Sequence, residues 1–382
     1  MTPTVATERG FLLLADLSGY TAYLAGSEPT HGPQIAGDFI ETIVGRLRGS
    51  FRLEKLEGDA AFLFAPVERV SGTVVLDAVD AAYFGFQRRL QSLSQATTCS
   101  CEACRRLPQL DLKFVCHVGD VLRHSIAGRE ELTGRDVIVA HRLLKGTAPQ
   151  RAGAHSYLLV TDAAMAALDL DPAQLGMIGI TERYDELGAI SGQLLDLARR
   201  WEDEQRATPS RPSGRPITSE ERLLAVSPQV AWDLFTSADQ RIRWEGMASV
   251  DEAAPGRRGL GATSACVAGR LRTIEEVIDW RPFDSFARRI RHPELGRITA
   301  VVRMSPMGTG THIEVIWFAS PRRDRETFRE LAMEFLAGQS AALDRLVTLA
   351  EELGAYEAAA PSIAPTPAIL ETPAAAAQHG AD

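Results

Sequence analysis

The segment FLLLADLSGY, residues 11–20, runs five apolar residues together and then sets a carboxylate, Asp16, at their end. A short apolar run closed by a Gly-containing turn suits a strand covered on both faces, parallel or central in an α/β sheet. Asp16 then stands where the strand leaves the core, as a turn residue or as one member of a site. Downstream, Ile35, Phe39, Ile43 and Leu47 recur at fourfold spacing and predict an amphipathic helix in QIAGDFIETIVGRLRGS. FRLEKLEGDAAFLFAP predicts two strands joined at EGD, with Gly58 permitting the tight turn and a second acid, Asp59, at its tip. A helix from about Leu76 to Leu93 follows. Then come the strand LDLKFVCHVGD, the helix GRDVIVAHRLLKG and the strands SYLLV and ITERYDELG. Strands alternating with helices around one hairpin predict a sheet with helices packed on it.

The pattern then breaks. EDEQRATPSRPSGRP, residues 202–216, combines charge, Pro, Ser and Gly without periodic apolar positions, as a flexible linker does. Beyond it, Ser227 before Pro228 marks a helix start, and Val230, Leu234 and Phe235 give that helix an apolar face. ATSACVAG, LRTIEEVIDW, DSFARRIRH, GRITAVVRM and GTHIEVIWFA are separated by short turn sequences, a run of hairpins that predicts an antiparallel sheet. Phe328, Leu331, Phe335, Leu343, Leu346, Leu349 and Leu353 form the apolar stripe of a long closing helix from about Asp324. The expected organisation is therefore a first domain over 8–200, a linker over 201–216, a second domain over 217–354 and a disordered Ala/Pro tail over 355–382.

Composition narrows the function. A length of 382 residues fits two domains, and 45% hydrophobic content is ample for two cores. A formal net charge of −9 with interspersed basic residues argues against a nucleic-acid binder, which needs a basic face to neutralise phosphates. No apolar run is long enough to span a bilayer, and Asp16 interrupts FLLLA too early for a signal peptide. The expected address is the cytoplasm, where five cysteines are not expected to form a disulfide framework.

Four stretches, in order, carry a family resemblance over about residues 8–200. ADLSGYTAY, KLEGDA, VCHVGDV and GRDVIVAHRLL resemble the first-strand aspartate motif, the hairpin motif, the following strand and the transition-state helix of the class III adenylyl and guanylyl cyclases. The resemblance implies a ferredoxin-like α/β sandwich. It also implies that Asp16 and Asp59 hold Mg²⁺ or Mn²⁺, consistent with the preference of hard cations for carboxylate oxygens. Lys55 and Glu131 match the adenine-reading pair, so ATP is favoured over GTP, and Arg142 matches the arginine that stabilises charge on the transferred phosphoryl group. Taken alone, Lys55 reads as a solvated strand charge and Arg142 as a surface residue. Ile138 replaces the family's catalytic asparagine, and the late phosphate-binding lysine is missing near YDELGAISGQLLDLA. The pattern is similar to an uncharacterised bacterial offshoot of the fold rather than to its well-known active members, and the two departures imply a catalytically degenerate domain. A head-to-tail homodimer is implied, with Asp16 and Asp59 of one chain facing Lys55, Glu131 and Arg142 of the other.

The offshoot also resembles this chain in the insert CSCEACRRL. Cys99, Cys101 and Cys104 bring three thiols within six residues, a density suited to Zn²⁺ with a fourth ligand unidentified. Cys116 alternates with core residues, while His117 and His31 are alternatives; a redox-active or simply exposed cysteine loop is the competing reading. The second domain resembles the START-related helix-grip superfamily, with its curved antiparallel sheet and long C-terminal helix. That resemblance implies a cavity for a small apolar ligand, with Trp232, Trp244, Trp280 and Trp317 as pocket candidates or plain core. The fold class expected is α+β in two domains. Three functions follow: a degenerate cyclase-like signalling module coupled to a ligand-binding domain, an active adenylyl cyclase, or a ligand carrier or small-molecule enzyme on a scaffold.

Overall fold

The computed structural model describes residues 7–27, 32–96, 101–126, 128–206, 215–252, 259–319 and 325–359. The first sheet contains β1 (Thr7–Ser18), β2 (Arg52–Glu57), β3 (Ala60–Pro66), β4 (Asp111–Ile126), β5 (Arg129–Thr133), β6 (Tyr157–Thr161), β7 (Ile178–Tyr184) and β8 (Gly188–Asp196). Its helices are α1 (Tyr20–Ala25), α2 (Gly32–Leu47), α3 (Gly72–Ala96), α4 (Glu102–Arg106), α5 (Arg135–Leu144), α6 (Ala148–Arg151), α7 (Asp162–Ala167), α8 (Pro172–Leu175) and α9 (Leu197–Arg206). The strand order β2-β3-β1-β4 is the ferredoxin-like core, extended by β6, β8 and β7, with β5 paired to β4.

The apolar run in β1 has a direct explanation. β1 is central, and alternate side chains serve two cores: Phe11, Leu13 and Ala15 face one shared with α2 and α3, while Leu12 and Leu14 face another shared with α5. Both β1 neighbours, β3 and β4, are antiparallel; β4 with β6 is a parallel pair. Centrality, rather than parallel pairing, demands continuous hydrophobicity here. Gly119 in β4 lets α5 approach: a Cβ there would collide with the Asp136 side chain.

The second sheet comprises β9 (Arg215–Leu224), β10 (Ser249–Glu252), β11 (Thr263–Ala268), β12 (Leu271–Arg281), β13 (Ser285–His292), β14 (Gly296–Met307) and β15 (Gly310–Ala319). Its order is β10-β11-β12-β13-β14-β15-β9, antiparallel throughout. Two short helices, α10 (Pro228–Thr236) and α11 (Ala238–Glu245), and the 35-residue α12 (Arg325–Ala359) complete the helix-grip arrangement.

Three differences from the sequence reading have physical causes. Residues 201–206, read as linker, continue α9, because Trp201 packs on Phe84 at 5.5 Å and Arg206 pairs with Glu202 at 2.7 Å, one turn back. Residues 355–359, read as tail, belong to α12; residues 207–214 and 360–382 lie outside the described residues. The two halves also touch: Trp232 Nε1 donates to Asp77 Oδ2 at 3.0 Å with both residues buried, and Arg46 pairs with Asp284 at 2.8 Å.

Candidate functional site

Strand register gathers the carboxylates. In the antiparallel β1–β3 pair Asp16 stands opposite Ala60, the residue that follows Asp59 at the hairpin tip. Gly58 there adopts φ +67°, which lets the chain reverse and deliver Asp59 to the mouth of β1. On its other side Asp16 faces Lys113 of β4, and the ammonium sits 3.1 Å from Asp16 Oδ2 while also donating to the Leu144 carbonyl at 3.3 Å. Burial and then the Asp16 charge hold the Asp59 carboxyl above the usual carboxylate range, despite Lys113. Tyr20, at the start of α1, is likewise pushed upward by burial and by Asp59.

These groups fit a divalent cation. Burial first, and the neighbouring Asp16 charge second, make Asp59 resist ionisation, and a single ammonium does not relieve that crowding of charge. A hard cation held by Asp16 and Asp59 would do so, in competition with Lys113 for Asp16.

Lys55 and Glu131 meet on one chain, Nζ to Oε2, at 3.4 Å. Lys55 also pairs with Glu57 at 2.7 Å, and Glu57 reaches His141 of α5 at 3.3 Å. Burial alone would lower the Lys55 ammonium, but Glu57 and Glu131 together hold it above its ordinary value. The pair thus sets a donor and an acceptor side by side. Burial lowers His141, so it is neutral near pH 7.

Helix α5 presents Ile138 and Arg142 one turn apart on its exposed face, with Ile138 53% exposed. Where the family has an amide donor, this surface carries a branched alkyl group. The guanidinium of Arg135 reaches the β7–β8 hairpin and donates to Leu187 O at 3.2 Å, in the region expected to hold the missing lysine. His117 is buried between Thr161 Oγ1 at 2.9 Å and Asp136 Oδ1 at 3.4 Å, and Asp136 also accepts from the Asp120 amide at 2.8 Å. The network pins the first turn of α5 to the sheet.

Among the described residues no three His, Cys, Asp or Glu side chains gather as a metal-binding group. Cys99 and His31 lie outside the described residues. Cys101 caps α4, its Sγ accepting from the Cys104 amide at 3.5 Å, and Cys104 is buried. Cys116 is a core residue whose thiol burial pushes up to about 12. Of the four tryptophans, Trp280 lines a cavity, whereas Trp232, Trp244 and Trp317 are buried in the core.

Sequence reasoning missed Lys113, Glu57 and His141, because cross-strand and helix-to-sheet neighbours have no local signature. It also missed a buried ion network in the second sheet. There Arg241, Glu245, Glu275 and Arg288 are each at most 9% exposed.

Among solved structures the N-terminal region resembles class III adenylyl and guanylyl cyclases and the remainder resembles helix-grip proteins. A bacterial light-regulated adenylyl cyclase is 17% identical with a TM-score of 0.40, covering 52% of this chain and 53% of its own, so the chain spans about half that protein's length. The adenylyl cyclase CyaB from P. aeruginosa is 12% identical with a TM-score of 0.37, over 50% of this chain and 97% of its own. Ara h 8.0201 is 11% identical with a TM-score of 0.32, over 35% of this chain and 97% of its own. These likenesses concern fold alone. A family model described as "Protein of unknown function (DUF2652)" matches residues 36–152. The uncharacterized protein Rv2561/Rv2562 of Mycobacterium tuberculosis (strain ATCC 25618 / H37Rv) is 33% identical over 159 residues, which are 42% of this chain and 72% of that protein. With that identity over most of the mycobacterial protein's length, the chain belongs to the family of Rv2561/Rv2562.

Proposed function

We propose that the N-terminal domain is a cyclase-like module that binds ATP with Mg²⁺ or Mn²⁺, that it is catalytically degenerate, and that it acts in signalling with a small-molecule-binding domain at its C-terminal side. The observation that carries the reading is the gathering of Asp16 and Asp59 at the mouth of β1, where burial and then Asp16 push the Asp59 carboxyl upward, with Lys55 and Glu131 paired at 3.4 Å and a helix whose Ile138 offers no donor. Asp16 and Asp59 would hold the cation, which supplies charge neutralisation for a triphosphate. Lys55 and Glu131 offer a donor and an acceptor to the adenine edge once they exchange each other for the base. Arg142 stands ready for phosphate in a head-to-tail homodimer. Losing one preorganised donor to developing charge costs roughly 10²- to 10³-fold in rate, which is the physical content of degeneracy here.

Coupling has a route. Trp280 on the cavity wall packs edge-on against Trp232 at 4.7 Å, and Trp232 is the residue bonded to Asp77 of α3. Occupancy of the second domain is thereby felt on a helix that covers the first sheet. The test is equilibrium binding of ATP and GTP to the full chain with and without Mn²⁺. Metal-dependent ATP binding that Asp59→Ala abolishes, with the fold intact by circular dichroism, supports the reading. No binding of either nucleotide at millimolar concentration with Mn²⁺ reduces the domain to a scaffold.

The active-cyclase reading draws on the same Lys55–Glu131 pair and on the exposed Arg142. Cyclic AMP production distinguishes the two.

A further inference from the structure

Lys55 has two carboxylate partners, and the nearer is the one on its own strand. β2 carries Lys55 and Glu57, β5 carries Glu131, and α5 carries His141. In the β2–β3 register Lys55 stands opposite Phe62 and Glu57 opposite Ala60, and both of those β3 side chains belong to the core shared with α5. Lys55 and Glu57, two residues apart, therefore leave β2 on the face where α5 lies. Lys55 Nζ is 2.7 Å from Glu57 Oε1 and 3.4 Å from Glu131 Oε2.

The ammonium is not the only group that places Glu57. Its other oxygen, Oε2, stands 3.3 Å from Nδ1 of His141, whose ring packs on Phe62 with centroids 5.2 Å apart. Lys55 Nζ lies 5.9 Å from the centroid of the same Phe62 ring, which is buried. Ammonium, carboxylate and imidazole thus gather over one fixed ring, and Glu131 reaches in from β5. Burial lowers the Lys55 ammonium, and Glu57 does more than Glu131 to raise it again.

A purine that takes a donor from Lys55 and an acceptor from Glu131 has to come between them, and the longer of the two Lys55 contacts is the one it breaks. The Lys55, Glu57 and Glu131 side chains are 34%, 37% and 33% exposed, so a base reaches them without unfolding the hairpin. A lysine stem is flexible, and an ammonium released from Glu131 with no second anchor turns to water or follows the carboxylate. Glu57 keeps it on β2. An ammonium has three N–H groups, so the Glu57 contact leaves others for the base. Holding a donor in place before the ligand arrives removes an ordering cost from binding.

We propose that Glu57, braced by His141, is a positioning residue for base recognition: it holds the Lys55 ammonium ready for a ring nitrogen of adenine while Glu131 is taken by the exocyclic amine. The inference deepens the nucleotide-binding reading above and rests on it. Glu57 itself does not touch the nucleotide.

Inorganic tripolyphosphate carries the phosphate end of the nucleotide without a base, so it separates base reading from the cation site at Asp16 and Asp59. Calorimetric titration of the full chain with ATP and with tripolyphosphate, each with Mn²⁺, is made on the unaltered protein, Glu57→Gln, Lys55→Met and the double variant. The unaltered chain binds ATP tighter than tripolyphosphate. Glu57→Gln weakens ATP by roughly 3- to 10-fold, the range for a half-exposed ion pair that also orders its partner, and leaves tripolyphosphate within twofold. In the Lys55→Met background the same change alters ATP affinity less than twofold, because Glu57 acts through Lys55. ATP affinity unchanged or tighter in Glu57→Gln overturns the inference and leaves nucleotide binding in place. An equal loss for both ligands, or a full loss in the Lys55→Met background, overturns it too, since Glu57 would then act on the cation site or the fold. Equal affinity of the unaltered chain for ATP and tripolyphosphate, or binding of neither, overturns the base-reading role of Lys55 and Glu131 and the inference with it.

Discussion

Replacing Lys113 by Met should tighten divalent-cation binding at Asp16 and Asp59. The ammonium stands 3.1 Å from Asp16 Oδ2, with the two side chains 16% and 18% exposed. At that separation a pair of unit charges attracts by about 5 kcal/mol at an effective dielectric of about 20, and by about 1.3 kcal/mol in bulk water. A cation that takes over Asp16 forfeits this attraction and gains a positive neighbour. The ammonium also keeps its bond to the Leu144 carbonyl, which offsets part of the loss. An intermediate cost of about 1.4 to 2.7 kcal/mol corresponds to roughly 10- to 100-fold tighter Mn²⁺ binding in the variant. Titration calorimetry with Mn²⁺ on full-length protein measures this, with thermal unfolding as the check that β4 is undisturbed. Affinity within twofold of the parent, or weaker, would refute the competition between Lys113 and a metal and with it the cation reading of this pair.

Mn²⁺ affinity should fall as pH drops toward and through the raised Asp59 value, and the fall should begin at higher pH than for an ordinary aspartate; a fall that begins only in the ordinary aspartate range contradicts the burial-and-Asp16 account of Asp59. The sign for the metal-free chain is opposite: a carboxyl raised in the folded state contributes stability below its unfolded value and loses it as pH rises through the folded value. Trp232→Phe should destabilise the chain by about 1.5 to 3 kcal/mol in urea unfolding, because it takes a buried donor from Asp77; a change under about 0.5 kcal/mol would show that contact to be incidental. Glu131→Gln should erode the preference for ATP over GTP by roughly 10-fold, read as the ratio of dissociation constants, with the fold unchanged. Elemental analysis of cytosolically expressed protein should find about one Zn²⁺ per chain at the Cys99, Cys101 and Cys104 loop; absence of metal, with Cys101→Ser as stable as the parent, removes that proposal.

Local chemistry made part of this molecule legible. The β1 run announced a strand buried on both faces because alternate side chains had to serve two cores, and Gly58 announced the hairpin that delivers Asp59. The α5 face was legible too, since Ile138 and Arg142 at fourfold spacing must share one side of a helix. What stayed hidden depends on register. Lys113 meets Asp16 only because β1 and β4 pair with that offset, and an offset between segments a hundred residues apart leaves no mark in either. The charged end of α9 looked like linker because its support comes from Phe84 on α3, not from an apolar period of its own. Arg241 and Glu275 carry no mark of burial in the sequence, because burial of a charge depends on a partner delivered by another element.

The central claim, a nucleotide-binding cyclase fold that has lost most of its catalysis, is tested most directly by cyclic AMP formation by the full-length chain saturated with ATP and Mn²⁺. The account predicts turnover at least roughly 100-fold below about 1 s⁻¹, with Ile138→Asn raising it by restoring the missing donor. Turnover of about 1 s⁻¹ or faster in the unaltered chain would contradict it and make the protein an active adenylyl cyclase.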